Sequence, residues 1–508
     1  VLDPGALAWR RGLDAERSRA HAGVVRLLAS RRLPPLRRLA GAVGRIGTAV
    51  GVWALVDRKR TTSRRALSRR LRRAFERLGS TYIKLGQIVS SGDGLFPEEL
   101  VAEFKLLRDR VPAESFADVR AVVEDDLGRP LESVFSRFDR APLAAASIAQ
   151  VHAARLRSGE EVVVKVQRPR VAALVHDDLA ALAWLAPRLV GRIPVAALAN
   201  PPALVDVFAE TVVEELDFRL EAENMLDIAR VLAAEGQRAI VVPRPHPELV
   251  TRRVLVMERL GGFAFDDAGA MRRAGVDTEA VLRAGLISFL EGAVLHGVFH
   301  GDLHGGNLFV MADGRTALLD FGITGRLTEP KRVAFLRLLM AGGSGDVQGQ
   351  IEALRDLGAF PPDVDVAAVI ADLGLDQPVK DPTTMTAEEL LGDLREIVRK
   401  LLGYGARIPK ELMLLVKNMM FLDGATATLA PDLDVIGEIT GIYAYFAAEH
   451  GERIARELGL DPSAPAEVDV DALKALYGLT PDVEHVTYRD LRARRELIAR
   501  RMRDHRRH

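Results

Sequence analysis

Between residues 300 and 322 the chain reads His300-Gly301-Asp302-Leu303-His304-Gly305-Gly306-Asn307, and then Leu318-Leu319-Asp320-Phe321-Gly322. Asn307 follows Asp302 by five residues and Asp320 follows it by eighteen. Two fixed intervals among three oxygen-bearing side chains constrain the fold more than any periodicity in the chain. Phosphoryl transfer needs one carboxylate to orient an attacking hydroxyl, and oxygen ligands for a near-octahedral Mg²⁺. Asp302 suits the first task, and Asn307 and Asp320 suit the second. The apolar flanks Val298-Phe299 and Leu308-Phe309-Val310 read as short strands that would hold the loops. A loop that is merely rich in Gly, Asp and His is the bland alternative, and it does not explain both intervals together.

Both intervals match the catalytic and metal-binding loops of the protein-kinase fold, and the upstream sequence agrees. Val151 to Leu156 and Val162 to Val166 are β-rich runs separated by Ser158-Gly159, which predicts an antiparallel hairpin. Lys165 closes its second strand, where a kinase fold needs a lysine for the α- and β-phosphates and a helix glutamate to pair with it. A helix is expected over Leu204–Leu232, with Asp217, Glu221 and Asn224 in a polar row and Glu221 as the partner of Lys165. Arg253–Glu258 reads as another buried strand. Where a glycine-rich loop would cover the phosphates stands Ala144-Ala145-Ala146-Ser147-Ile148-Ala149-Gln150. Alanine lacks the positive-φ freedom of glycine, so this loop should be stiffer and hold a nucleotide differently. Further upstream, Leu67, Leu71, Phe75, Leu78, Tyr82 and Leu85 recur at helical spacing, which predicts one amphipathic helix over Arg64–Val89. It carries Lys84 and Gln87 three residues apart on one face.

Composition excludes several classes. The 508 residues are 48% hydrophobic and 28% charged, a globular profile. There is no cysteine, so disulfide frameworks, thiolate zinc sites and cysteine nucleophiles are out. No secretory leader is read. The most apolar stretch, Ile46 to Leu55, is about half a bilayer span, and Arg45 precedes it. Formal charge sums to zero but is uneven. Residues 1–80 hold 20 Arg and Lys against 5 Asp and Glu, and residues 489–508 hold 9 Arg against 3 acids. Basic ends on an acidic body point to an anionic partner. Trp53 is the only aromatic in residues 10–74, which leaves little for stacking on bases, so a phospholipid surface is favoured over nucleic acid. Residues 1–60 read as basic, helix-prone and loosely organised, and their loss is expected to leave the nucleotide site folded. Only 10 of the 70 cationic residues are lysine, so a lysine marks a place where a compact ammonium is wanted.

Together these motifs resemble the UbiB/AarF-like (ADCK) atypical protein kinases. Four separated elements carry the resemblance: Lys84-Leu85-Gly86-Gln87, the alanine-rich loop through His152, Glu215-Leu216-Asp217 with Glu221-Ala222, and the paired loops at 300–322. It covers about residues 65–435 and implies an α+β, bilobal, kinase-like fold. By this reading a basic helical region occupies 1–63 and an extension with the Lys-Leu-Gly-Gln motif 64–133. A kinase-like N-lobe with inserted helices follows over 134–262, a helical C-lobe over 263–470 and a basic tail over 471–508. The resemblance implies ATP and Mg²⁺, with Asp302, Lys165 and Glu221 catalytic and Asn307 and Asp320 on the metal. It further implies that Lys84, beside Gln87, reaches the nucleotide site and pairs with Glu215 or Asp217. Ala144, Ala145, Ala146 and Ser147 would line that site, and Met257 would precede a hinge at Glu258–Leu260. The family is linked to isoprenoid-quinone lipid metabolism, and to ATPase or small-molecule chemistry more than to protein phosphorylation. Gly301 in place of arginine after His300, and the lack of an Ala-Pro-Glu element after Gly322, agree with that. Gly305 departs from the proline many members carry, and no C-terminal pair of membrane-spanning segments is read. A cytoplasmic protein bound peripherally to anionic lipid is expected, with quinone-pathway lipids or proteins as further partners. An aminoglycoside- or choline-type phosphotransferase, or a nucleotide-binding scaffold without turnover, are the alternatives.

Overall fold

Strand alternation settles which way the hairpin faces. In a computed structural model the described residues are 7–29, 35–57, 63–90, 97–107, 112–189, 201–375, 377, 385–461 and 468–505. They form two compact units, one of Val1–Asp227 with Pro243–Leu260 and Asp320–Ile323, the other of Ile228–Val242, Gly261–Leu319 and Thr324–His508. In the first, β1 (Phe135–Phe138), β2 (Ala144–Ala145), β3 (Ala149–Leu156) and β4 (Glu161–Gln167) join β6 (Pro245–Val250) and β7 (Val254–Glu258). The sheet runs β1-β3-β4-β7-β6, with β2 also on β3, and every pairing is antiparallel. The expected hairpin is β3 and β4, and the strand expected over Arg253–Glu258 is β7. Val162, Val164 and Val166 are buried on one face of β4 with Val254 and Val256. Val119, Val122 and Val123 of a helix over Phe116–Leu127 cover them. The two-residue period therefore turns Lys165 to the opposite face.

The helices of this unit pack around a second core. They include α1 (Leu13–Ala29), α2 (Leu36–Val52), α3 (Ser63–Leu78), α4 (Ser80–Ser90) and α5 (Glu98–Phe104). After these come α6, the helix over Phe116–Leu127 already described, then α7 (Leu131–Val134), α8 (Val171–Leu189), α9 (Pro201–Glu214) and α10 (Phe218–Ala234), whose last turns belong to the second unit. Val24, Ala42, Tyr82, Leu85, Val175, Leu179, Phe208 and Val212 share one buried cluster.

Two expected helices are each broken. The helix over 64–89 is interrupted at Gly79, whose φ of +100° is accessible to glycine and ends α3 before α4 begins. The helix over 204–232 stops at Glu214 and restarts at Phe218. There the Asp217 carboxylate accepts the Arg219 N–H at 3.1 Å, and its carbonyl accepts that of Leu220 at 2.9 Å, an N-cap arrangement.

The N-terminal helices are not loosely organised. Arg38 of α2 bonds Asp178 of α8, whose side chain is 1% exposed, at 2.7 Å. Arg10 bonds Glu223 at 2.6 Å. Glu223 lies on α10, two residues from Glu221. The apolar face of α3 and α4 is likewise consumed by the core, with Leu67, Leu78, Tyr82 and Leu85 all buried. The apolar stretch around Ile46 is longer than expected. Leu36–Asp57, 22 residues, and Lys410–Leu429 are long and apolar enough to cross a membrane by length and composition. Arg45 does not break the first helix, whose apolar run continues on both sides of it from Leu39 to Val56.

The second unit is mostly helical. A four-stranded sheet runs β5 (Ile240–Val241), β11 (Thr316–Leu318), β10 (Leu308–Val310), β8 (Phe263–Ala264), and β9 (Val298–His300) pairs with β12 (Thr324–Arg326). The flanks expected as strands are β9 and β10. Among its helices are α11 (Ala268–Arg273), α12 (Thr278–Leu295), α13 (Glu329–Gly343), α14 (Val347–Asp356), α15 (Val366–Leu373), α16 (Ala387–Gly403) and α17 (Lys410–Leu429). Gly325 of β12 lies opposite Phe299 of β9, whose ring covers the place a Cβ would take. Gly325→Ala should therefore destabilise by about 1–3 kcal/mol through overpacking. Gly285→Ala in α12, where a Cβ meets nothing within 4 Å, should stabilise by about 0.5–1 kcal/mol. Denaturant unfolding of the two variants checks the opposite signs.

Candidate active site

In the first unit a lysine faces two carboxylates. Lys165 Nζ stands 2.7 and 2.9 Å from the two oxygens of Glu221 on α10, and 3.3 Å from Asp320 Oδ1. Strand and helix each fix one partner, since Lys165 is held in register between Val151 and Leu255 and Glu221 sits in the first turn of α10. The Glu221 side chain is 5% exposed and that of Asp320 51%. Burial pushes the Glu221 carboxyl up, with Lys165 opposing. At Asp320 desolvation is outweighed by the charges of Lys165 and Lys84 and by the Gly322 N–H, so this carboxyl lies well below its ordinary range. Burial works against the Lys165 ammonium, but the two carboxylates raise it above its ordinary value. One cation between two acids thus keeps the accessible acid ionised.

Asp320 has φ of +55°, a left-handed conformation that aspartate tolerates better than most residues. Asn224 Nδ2 donates to the Phe321 carbonyl at 2.9 Å, and Phe321 is buried. The third member of the polar row therefore holds the metal-loop backbone.

The break between α9 and α10 exposes Glu215 to α4. Lys84 Nζ lies 2.9 Å from Glu215 Oε1, with both side chains mostly buried. Burial raises the Glu215 carboxyl, and Lys84 opposes that rise. Of the two partners open to Lys84, the structure selects Glu215. Asp217 is taken by Arg219 at 2.7 Å, and Arg219 also bonds Glu16 of α1. Gln87 lies half-buried one turn along α4 from Lys84. The alanine-rich segment is a tight turn between β2 and β3. Ala146 N–H donates to the Ala149 carbonyl at 2.8 Å, Arg168 Nε donates to the Ala146 carbonyl at 2.9 Å, and Ser147 is buried. Ala144 and Ala145 form β2. Met257 and Glu258 end β7, with the Glu258 N–H bonded to the Arg244 carbonyl at 2.9 Å, and Leu260 is the last residue of the first unit on this pass of the chain.

In the second unit the catalytic loop is held at both ends. His300 is buried, its Nε2 bonds the Leu319 carbonyl at 3.1 Å, and its Nδ1 accepts the Asp302 N–H at 3.2 Å. Asn307 is 7% exposed and donates its amide nitrogen to the Asp302 carbonyl at 3.1 Å. The Leu319 N–H donates to the Asn307 carbonyl at 2.8 Å, so the residue before Asp320 is tied to the residue that precedes β10. Two groups on α17 were missed from the sequence. Lys417 Nζ bonds Asp302 Oδ1, and the fully buried Asn418 accepts the Leu303 N–H at 3.1 Å while donating to the His300 carbonyl. The only signal for Lys417 was the scarcity of lysine.

Among the described residues no cluster of three His, Asp or Glu could hold a metal by itself.

A sheet bearing a lysine–glutamate pair and a mostly helical second unit agree with a bilobal kinase-like fold. Residues 106–354 match the ABC1 atypical kinase-like domain. An uncharacterised Mycobacterium tuberculosis protein is 37% identical over 79% of this chain and 83% of its own length. An Arabidopsis thaliana chloroplastic aarF domain-containing protein kinase is 35% identical over 72% of each chain. A probable protein kinase UbiB of Azotobacter vinelandii is 35% identical over 75% of this chain and 71% of its own. The chain belongs to the UbiB/aarF family of ABC1 atypical kinases.

Lys84→Met should cost about 3 kcal/mol at pH 8, since it leaves a buried carboxylate without its cation. Without Lys84 the folded Glu215 carboxyl rises further above its unfolded value, about 4.3. The penalty is carried above the folded value and fades as pH falls toward the unfolded one, because a neutral glutamic acid is tolerated by the site. Unfolding free energies at pH 8 and pH 5 should therefore converge on wild type at the lower pH, and equal losses at both would contradict the pairing.

Proposed function

We propose that this protein is an ATP-dependent atypical kinase or ATPase that acts at an anionic membrane surface in isoprenoid-quinone lipid metabolism. The observation that carries the ATP reading is the Lys165–Glu221–Asp320 group, with a buried lysine kept cationic beside an accessible ionised carboxylate. Lys165 supplies positive charge for the α- and β-phosphates, and Glu221 fixes its direction. By the family resemblance, Asp320 and Asn307 would each offer an oxygen to Mg²⁺, whose charge would offset that of the phosphates. Asp302 orients the attacking hydroxyl of water or of an alcohol substrate and receives its proton. The Lys84–Glu215 pair and the alanine turn favour this reading over an aminoglycoside- or choline-type phosphotransferase. The quinone pathway rests on the family resemblance and on relatives named UbiB. Asp320→Asn keeps a residue that tolerates positive φ but removes the charge, and should cut ATP turnover at least ~100-fold. Near-wild-type turnover in a folded variant would sink the assignment.

The membrane reading is carried by α2. Leu36, Val43 and Val50 stand seven residues apart and are 71%, 46% and 37% exposed, and Leu55 and Val56 beyond the helix are also exposed. Leu36, Leu39, Ala40 and Val43 form an open apolar cleft with Trp184 and Leu185, and the Arg188 guanidinium lies 3.6 Å over the Trp184 ring. The other side of α2 is already committed, through Ala42 and Ile46 in the core and Arg38 on Asp178. A helix held along one side lies in an interface rather than across it. An exposed apolar stripe with arginines beside it binds anionic lipid through both area and charge. Full-length protein should co-sediment with anionic vesicles at low salt, be released as salt rises, and turn over ATP faster when bound. Leu36→Glu with Val43→Glu should abolish binding at an unchanged thermal midpoint. Protein that stays in the supernatant at low salt overturns the membrane reading alone.

A further inference from the structure

The catalytic loop carries no cation of its own beside Asp302. The residues from Leu303 to Asn307 include only His304, whose Nδ1 accepts the Gly306 N–H at 3.1 Å and caps a turn over Gly305–Asn307. Its ring is committed to the shape of the loop. The charge arrives instead from α17, 115 positions along the chain, where Lys417 bonds Asp302 Oδ1. Both side chains are about one-fifth exposed, so the pair is shielded from water without being sealed from a substrate.

Placement of that ammonium is tightly determined. Asn418 bonds the loop backbone on both sides of Asp302, at the His300 carbonyl and the Leu303 N–H. Leu414, Leu415 and Leu422 are buried, so α17 can neither slide nor turn without losing core contacts. With Asn418 fixed on the loop, Lys417 can only meet the carboxylate. Arginine outnumbers lysine six to one in this chain, so a lysine here is not the default cation. A compact ammonium meets the carboxylate at a single oxygen, Oδ1.

We propose that Lys417 is the positioning residue for Asp302, supplying in trans along the chain the cation its catalytic loop lacks. The proposal rests on the phosphoryl-transfer reading above. Lys417 engages Oδ1, and the Asp302 carboxylate accepts the proton of the attacking hydroxyl. In that step the hydroxyl oxygen bonds the γ-phosphorus, the bond from phosphorus to the β-phosphate oxygen breaks, and its electron pair leaves with ADP. An uncompensated carboxylate would repel the anionic phosphoryl group as it approached, and the ammonium offsets that repulsion.

The test uses full-length protein with anionic vesicles and compares Lys417→Gln, Lys417→Arg, Asp302→Asn and the Lys417→Gln/Asp302→Asn double variant. Steady-state ATP turnover, binding of a fluorescent ATP analogue and the thermal midpoint are measured for each. Lys417→Gln should lower kcat about 10–100-fold with KM for ATP within threefold and analogue binding unchanged. Lys417→Arg should recover at least part of that loss. The double variant should be no slower than Asp302→Asn alone, because the two groups act as one unit. A merely structural lysine would instead lower the midpoint and give losses that multiply. Wild-type kcat in Lys417→Gln, a raised KM at unchanged kcat, or multiplicative losses each overturn the assignment. Should Lys417→Gln fail to fold, Lys417→Arg decides, and a folded arginine variant as slow as Asp302→Asn overturns it. Absence of ATP turnover in the wild type sinks the phosphoryl-transfer reading and this assignment with it, whereas turnover that ignores Lys417 sinks this assignment only.

Discussion

Everything in the first unit is organised so that one ammonium can be buried. Lys165 is placed by strand alternation on the face of the sheet away from the valine core, and it needs acid partners from elsewhere. Glu221 comes from a helix 56 residues on and Asp320 from a loop 155 residues on. Each partner brings its own supports. The helix bearing Glu221 is anchored by Arg10 on Glu223 and started by Asp217, which Arg219 holds against Glu16. Asp320 is followed by a buried phenylalanine whose carbonyl Asn224 fixes. A buried ion pair is a poor source of stability, but it is strict about geometry, and that strictness is what phosphate recognition needs.

The arginine-rich beginning of the chain takes its meaning from the same constraint. Read as sequence, its charge looks like a solvated arm seeking an anionic surface. In the structure Arg10, Arg38 and Arg70 are spent on Glu223, Asp178 and Asp57. What α2 leaves exposed is the stripe of Leu36, Val43 and Val50, with Arg37 and Arg45 exposed beside it.

The sequence showed most clearly those features that depend on short intervals. The hairpin, the strand Val254–Glu258 and the short strands flanking the 300–310 loop are each defined within a few residues, and each lies where its pattern implies. Helix ends were harder to read. Gly79 and the Glu215–Asp217 step interrupt patterns whose apolar spacing runs through undisturbed, because both flanking helices bury the same kind of face. Lys84 could be named but its partner could not, since only the break between helices decides between Glu215 and Asp217. Lys417 and Asn418 were out of reach. Their roles come from a tertiary contact across 115 residues, and no local motif encodes such a contact.

The clamp on the catalytic loop also changes where the functional unit ends. The ABC1 atypical kinase-like domain match closes at residue 354, and the two residues that steady Asp302 lie more than 60 positions later. The same match opens at residue 106, beyond Lys84. A fragment cut to those limits would carry Asp302, Asn307, Asp320, Lys165 and Glu221 intact. It would nonetheless lack the amide that sets the loop, the ammonium that faces its aspartate and the lysine that neutralises Glu215. For this chain, the span in which the motifs are found and the span needed to shape them are different lengths of polypeptide.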